Sequence, residues 1–527
     1  MRLSKCARVR CCSSINRNCV FLFIFPANAC QRDRQRQEFL LHVRPPPNCT
    51  RVEVKHLMKG PILTPGTYHL IGIGGIGVSG VARLLHARGL KVQGSDVRES
   101  QLTLQMRALG IAVSIGQKAE NLADADTVIV STAIPPHNQE LVAAKARNLR
   151  LLHRSEALGA LLADRPSIGV IGTHGKGTVS AAITWLLDAA GLQPGFVIGG
   201  LLQNYKINAR DEHPQNWLVA EVDESDGSLV NSQPTVAVLN NLELDHLNYY
   251  PDWAKLESAV LQFFNGNPRL QTAVLNSDDA GVGKILAKLA LQPQAKLVTF
   301  GFQGQPTVRG SNPQLRRMAG SFDVELRQAD GTYQRLGKVE IALPGQYNAS
   351  NVLGAIATTL HCGVAFDKIQ AATPLYLGLE NRFTLVDAYG VEVVKDYISH
   401  PTGIARVLEA ARSQAQGPVI AVFKPYRFTM IHYLQDDYRT AFREADRVVV
   451  TELYTAGEVP IPGIDTDFLC NKIREVVADV TYIHDIDDIP MWLQEQVQAP
   501  ATVLFFGGDD LFQMADRYIA LRHNATN

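Results

Sequence analysis

Gly172-Thr173-His174-Gly175-Lys176-Gly177-Thr178 is the segment of this 527-residue chain whose residue types point most directly to chemistry. It follows an apolar run, Ser167–Ile171, that reads as a buried strand, and it opens a long apolar helix expected over residues 181–190. Backbone amides of a glycine turn at a helix start cradle phosphate, a lysine there neutralises a transferring phosphoryl group, and a hydroxyl just beyond it reaches Mg2+. The loop is shorter than the common phosphate loop, with fewer residues between its first glycine and the Gly175-Lys176 pair. A glycine turn without phosphate is the competing reading.

Two acidic segments lie downstream, each after an apolar strand. Glu221-Val222-Asp223-Glu224-Ser225-Asp226 follows a strand expected over 217–220, and Asn241-Leu242-Glu243-Leu244-Asp245-His246 follows one over 236–240. Carboxylates so crowded repel one another unless a cation neutralises them, and a neutral imidazole beside them can ligate a divalent metal. Taken singly, each segment also reads as a solvated acidic loop. Both stand at strand ends in the block that carries the phosphate loop, where open α/β sheets bind ligands, and this favours the functional reading.

A second glycine loop, Gly72-Ile73-Gly74-Gly75-Ile76-Gly77, comes earlier, between a strand and a helix. Its amides could meet a pyrophosphate at the helix N-terminus, and Asp96, at the end of the next strand, could bind a ribose hydroxyl. Alone it suggests a nicotinamide or flavin dinucleotide, or merely a structural turn.

The elements that position these loops form three blocks, each with strands alternating with helices, which predicts parallel sheets with helical crossovers. Strands are expected at 68–71, 90–93, 127–130 and 151–153 in the first block. The second block has strands at 167–171, 236–240 and 273–275, and the third at 391–394, 418–423, 447–450 and 501–506. The fold class is α/β, with domains expected at 58–165, 166–376 and 377–527. Lys+Arg and Asp+Glu are both 51, so no global field favours nucleic acid or an anionic membrane. Residues 1–57 hold Cys6, Cys11, Cys12, Cys19, Cys30 and Cys49, many arginines and a proline run, without strand or helix periodicity. They are read as a targeting segment, a disordered extension or, preferably, sequence upstream of the true start, because the first glycine loop follows Met58 so closely. The body keeps only Cys362 and Cys470, which suits a reducing cytoplasm.

Taken in order, these motifs resemble the Mur ligase family, over essentially all of the chain from Thr67 onward. Further matching runs are Asn348-Ala349-Ser350-Asn351, Arg382-Phe383, His400-Pro401-Thr402 and the segment from Tyr454 to Gly463. The resemblance implies a Rossmann-like UDP-binding domain, a phosphate-loop ATPase domain with a central mostly parallel sheet, and a C-terminal Rossmann-like α/β domain. It implies ATP and Mg2+ as cofactors, UDP-N-acetylmuramate and an amino acid (L-alanine first) as substrates, and a place in peptidoglycan synthesis. Gly74, Gly75, Ile76, Gly77, Asp96 and Ser131 would hold the UDP-sugar. Gly172, Thr173, His174, Gly175, Lys176, Gly177, Thr178, Asn348, Asn351, Arg382 and Asp396 would hold ATP. Thr178, Glu221 and His246 would ligate Mg2+, and Lys176, Glu221, His246 and Arg427 would serve the chemistry.

The sequence departs from the family pattern at several points. The hydroxyl usual after the loop lysine is replaced by Gly177, leaving Thr178 as the nearest. The third-domain pattern Asp-Asp-Tyr-x-His-His-Pro-Thr-Glu reads Lys395-Asp396-Tyr397-Ile398-Ser399-His400-Pro401-Thr402-Gly403. The pattern Gln-Pro-His-Arg-Tyr-Thr-Arg reads Lys424-Pro425-Tyr426-Arg427-Phe428-Thr429-Met430. Loss of imidazoles and a guanidinium there alters the expected amino-acid site most. The alternatives are a paralogue coupling another amine or peptide, and a non-catalytic protein that binds UDP-sugar or nucleotide.

Overall fold

The computed structural model describes residues 63–526, except 317 and 414; the expectation for residues 1–57 lies outside them. Short β-branched runs bounded by glycine turns become strands of three successive sheets, and the amphipathic segments between them become the covering helices. The first sheet has five parallel strands in the order Ala112–Ile115, Lys91–Asp96, Thr67–Ile71, Thr127–Val130, Arg150–His153. The chain enters at the middle strand, builds outward on one side, then crosses to the other. The crevice at that reversal lies beyond the carboxyl ends of Thr67–Ile71 and Thr127–Val130, where the first glycine loop and Ser131 stand.

The second sheet has ten strands. It is parallel from Val308–Arg316 through Lys296–Gly301, Thr272–Asn276, Val236–Leu239, Ser167–Ile171 and Leu218–Glu221 to Gly195–Leu202. Antiparallel strands flank it: Ala319–Arg327 and Tyr333–Ile341 on one side, Ile207–Arg210 on the other. Ser167–Ile171, which feeds the phosphate loop, lies between Leu218–Glu221 and Val236–Leu239. Parallel pairing therefore brings the carboxyl ends of those two strands, and both acidic segments, beside the loop. The third sheet has order Thr384–Ala388, Val391–Asp396, Ala501–Phe506, Val419–Phe423, Arg447–Thr451, Val480–Ile483, antiparallel only at its first pair.

Three expectations shift. The helix after the phosphate loop runs Lys176–Ala189, because it begins at the loop lysine itself. The strand expected at 90–93 runs Lys91–Asp96. Gly94 lies within it and is small because the Ile73 side chain and the Leu70 carbonyl lie where its Cβ would be. The antiparallel ribbon of 308–341 escapes the sequence reading, although Phe322, Val324 and Leu326 alternate with polar residues on its middle strand and, with Val339 and Ile341, face the second-domain core.

The first two domains share a core. The buried face of helix Ile76–Ala87 joins residues of both sheets in one apolar cluster that includes Val81, Leu84, Val197 and Ala209. A Cβ on Gly80 would stand 2.5 Å from Val197 Cγ2, and Asn208 Nδ2 donates to the Ile76 carbonyl at 2.8 Å, so helix and strands meet backbone to side chain. No helix among the described residues is long and apolar enough to cross a membrane.

Candidate active site

The phosphate loop is held open by its own geometry. Gly175 has φ 74° and lies so close to Asn351 that a Cβ would be 2.7 Å from Oδ1, so both backbone and space demand glycine. Asn351 Oδ1 accepts from Asn240 Nδ2 at 2.7 Å, and Asn351 Nδ2 donates to Asn348 Oδ1 at 3.3 Å. Asn240 and Asn241 both donate to the His174 carbonyl, and Asn241 Oδ1 accepts the His174 N–H at 2.8 Å. The amides that would meet phosphate are thus fixed by an asparagine network spanning the loop, the next strand end and the helix Gly345–His361.

Lys176 Nζ donates to Glu224 Oε1 at 2.7 Å and to the Gly172 carbonyl at 2.7 Å. Burial would lower its pKa, but the charges of Glu224, Glu221 and Asp223 outweigh burial and raise it, so the ammonium persists. His246 Nε2 lies 3.6 Å from the same Glu224 oxygen; its pKa too is raised against burial, by Glu224 and Asp245. The other Glu224 oxygen is buried without a hydrogen-bond partner. Glu221 receives the Gly199 N–H at 2.7 Å and stands against Gly177, where a Cβ would be 3.1 Å from Oε2 and 2.8 Å from Leu379 Cδ1.

Lys176, Glu221, His246 and the asparagine network line one cavity of about 1810 Å³, too large for a single small ligand. Of the expected residues, Thr173, His174, Gly175, Lys176, Gly177, Thr178, Glu221, His246, Asn348, Asn351, Arg382 and Asp396 line it. Gly172, Gly74, Gly75, Ile76, Gly77, Asp96 and Ser131 do not, although Arg98, Glu99 and Ser100 carry its wall to the first domain. Asp96 accepts the Gly74 N–H at 2.8 Å, so one of its oxygens braces the first glycine loop itself. Arg427 also stands off the lining, with φ 65°, its guanidinium 3.2 Å from the Tyr426 hydroxyl and 3.7 Å from Glu458. Tyr426 takes the wall position instead.

Asp396 is fully enclosed, and burial pushes its carboxyl up to about 6 despite Arg382 at 3.8 Å and the Phe383 N–H at 2.9 Å. The sequence reading did not single out Glu224 within its acidic run, although the contacts to Lys176 and His246 make it the hub. It also missed Arg154, which donates to Asp223 at 3.0 Å and packs where a Cβ of Gly77 would be, joining the two glycine-loop regions. Its signal was faint: an arginine at the first position after a strand.

Family comparison decides the class. Three family models match in succession: the Mur ligase family catalytic domain over residues 67–166, the Mur ligase middle domain over 170–359, and the Mur ligase glutamate ligase domain over 381–508. The chain belongs to the Mur ligase family. Membership removes the nicotinamide reading of the first glycine loop. Among curated Mur ligases, the UDP-N-acetylmuramate–L-alanine ligase of Novosphingobium aromaticivorans is 37% identical over 464 residues, covering 87% of this chain and 97% of that one. The enzyme of that name from Roseobacter denitrificans is 37% identical over 453 residues, covering 86% and 95%. The solved UDP-N-acetylmuramate–alanine ligase of Thermotoga maritima superposes with TM-score 0.73 at 24% identity, over 88% of this chain and all of that one. A murein peptide ligase of Psychrobacter arcticus superposes with TM-score 0.65 at 22% identity, over 87% and 99%. These two structures share the three-domain Mur ligase fold.

Proposed function

We propose that the protein is an ATP-dependent ligase that joins L-alanine to the lactyl carboxylate of UDP-N-acetylmuramate, in peptidoglycan precursor synthesis in the cytoplasm. The observation that carries this reading is Lys176, a buried, charged lysine on a helix-opening glycine loop, facing carboxylates in a cavity that reaches all three domains. The near full-length likeness to curated enzymes of that name supports the substrates.

The chemistry joins anions. A sugar carboxylate must approach ATP, and Lys176 offsets that repulsion at the γ-phosphate. Asn348, Asn351, Arg382 and Asp396 hold the nucleotide from the second and third domains. Glu221 and His246, with Thr178, would hold Mg2+, whose charge, when bound, further neutralises the phosphates. The donor set fits: two of its three donors, the Glu221 carboxylate and the Thr178 hydroxyl, are oxygens, and the partnerless Glu224 oxygen is a buried acceptor beside it. The sugar carboxylate oxygen attacks the γ-phosphorus and ADP departs, leaving an acyl phosphate. The alanine amine then attacks the acyl carbon, and phosphate leaves from the tetrahedral intermediate as the amide forms. Arg427 would exchange its Glu458 neighbour for the acceptor's carboxylate. Gly74, Gly75, Ile76, Gly77, Asp96 and Ser131 bind the UDP-sugar, and the domains divide near 165 and 376.

The test is ADP release with UDP-N-acetylmuramate across a panel of amino acids and short peptides. L-Alanine should be the best acceptor; ADP release with another amine and never with L-alanine would replace this acceptor.

A further inference from the structure

His174 has a second contact that the phosphate loop does not need. Its backbone is fixed by Asn240 and Asn241, while its side-chain Nε2 meets Glu243 Oε1. His400, at the start of the third-domain helix Pro401–Arg412, brings Nδ1 to 3.4 Å from the same oxygen, and the two imidazole centroids are 4.9 Å apart. One nitrogen from each histidine and the carboxylate oxygen all lie within 4.8 Å of one another. Glu243 Oε2 accepts the Thr402 hydroxyl at 2.9 Å, which fixes the carboxylate plane, and its N–H is tied to Thr173 Oγ1 at 2.9 Å. The His400 side chain is 8% exposed, and neither ring nitrogen completes a hydrogen bond. A buried imidazole left so is unusual and asks for an explanation.

Burial holds His400 below its ordinary pKa, although Asp245 and Glu243 act against it, so the ring is a neutral donor. Burial would raise Glu243, but the His174 hydrogen bond and the nearby imidazoles outweigh it and keep the carboxyl below its usual range. Two imidazoles and one carboxylate are the donors that zinc-like ions select, whereas Mg2+ favours sites in which oxygens outnumber nitrogens. Thr402 supplies the outer hydrogen bond that such ligating carboxylates carry.

We propose that His174, Glu243 and His400 form a binding site for a divalent transition-metal ion of the zinc type, made of residues other than those assigned to Mg2+, with its remaining coordination position open. Two ligands come from the second domain and one from the third, so the ion fastens the third-domain helix to the phosphate loop. Occupancy therefore restrains nucleotide exchange.

The full chain, stripped with a chelator, is titrated with Co2+ alone as a spectroscopic probe. One equivalent should give the visible absorption of a low-coordinate nitrogen–oxygen site, displaced by Zn2+ and not by a large excess of Mg2+. His400→Ala and the size-preserving Glu243→Gln should each weaken Co2+ binding by about a hundredfold or more, and Glu221→Gln should leave it unchanged. Melting curves in metal-free buffer establish that each variant is folded. The site is overturned by absence of Co2+ binding, by displacement with Mg2+, by binding indifferent to His400→Ala and Glu243→Gln, or by loss on Glu221→Gln.

Discussion

Lys176 and Glu224 form a buried ion pair, Nζ to Oε1 2.7 Å, with side chains 13% and 4% exposed. Removing one member strands the other, which commonly costs about 3–5 kcal/mol, while removing both charges costs far less. Lys176→Ala is therefore expected to lower kcat by about a hundredfold or more and to lower the melting temperature. Adding Glu224→Gln should restore most of the stability and none of the activity. Steady-state ADP release and thermal melts of the native protein and the two variants check this; turnover recovered in the double variant would separate Lys176 from the chemistry.

Glu221 and His246 are expected to act on one Mg2+ ion. Each replacement by Ala should raise the Mg2+ needed for half-maximal rate, and the pair together should lose less than the sum of the singles. Additive losses at unchanged Mg2+ dependence would mean that they work apart.

Gly177 stands where the family pattern has a hydroxyl residue, and the space a side chain would need is taken by Leu379 Cδ1, 2.8 Å from an ideal Cβ. Gly177→Thr is expected to cost about 1–3 kcal/mol through overcrowding. Combining it with Leu379→Val, which deletes that methyl, should cost less than the two separate losses added. Denaturant midpoints report the difference, and strict additivity would rule out the steric conflict.

Asp396 gives a pH signature. Its carboxyl sits near 6 in the fold against an ordinary 3.8, so the stability it contributes is complete below about pH 4 and is lost as pH rises through 6. Two units correspond to about 3 kcal/mol as an order of magnitude. Asp396→Asn, which mimics the protonated form and can still accept the Phe383 N–H, should out-melt the native protein only slightly at pH 4.5 and by several degrees at pH 7.5. If Asp396 also holds ATP, the same variant raises the KM for ATP. A melting gap that stays constant from pH 4.5 to 7.5 would remove the charge from this account.

The acceptor side is where the sequence departs furthest from the family pattern. With Tyr426 and Met430 standing where the family pattern has His and Arg, and Arg427 the one guanidinium of that segment, the acceptor is expected to lose two polar contacts, worth about tenfold or more in affinity. The KM for L-alanine should be high beside an ordinary KM for UDP-N-acetylmuramate, and Tyr426→His with Met430→Arg should lower it. An unchanged KM for L-alanine in that double variant would show that neither position meets the acceptor.

The strand–loop–helix order around Gly172–Thr178 was legible because each part is local: an apolar run, a glycine turn, and an apolar helix within a few residues. The gathering of Glu221 and His246 at that loop was legible only through a general rule of open parallel sheets, and the strand order beside Ser167–Ile171 is what fulfils it. What stayed hidden depends on long-range contact. Nothing local marks Glu224 out from Asp223 or Asp226; its importance comes from Lys176 and His246 arriving from other strands. Arg427 carried the motif identity expected of a substrate ligand, but its left-handed backbone and the nearby Glu458 draw its guanidinium off the wall. The ribbon of 308–341 was missed because its alternation, Phe322-Asp323-Val324-Glu325-Leu326, is short, and only the strands it pairs with separate it from a loop.

The apolar face that helix Ile76–Ala87 shares with the second domain has a consequence for synthesis. Every strand of the first sheet has been made once His153 is translated, yet the partners of that helix, Val197 and Ala209, lie further along the chain. Until the segment Gly195–Arg210 leaves the ribosome, the nascent first domain carries an uncovered greasy stripe, with Gly80 at its centre and no side chain to shield it. Such surface on a growing chain is where aggregation begins and where chaperones bind. Pauses in translation before residue 210 should therefore harm yield more than pauses after it, although most of the catalytic machinery has by then still to be made.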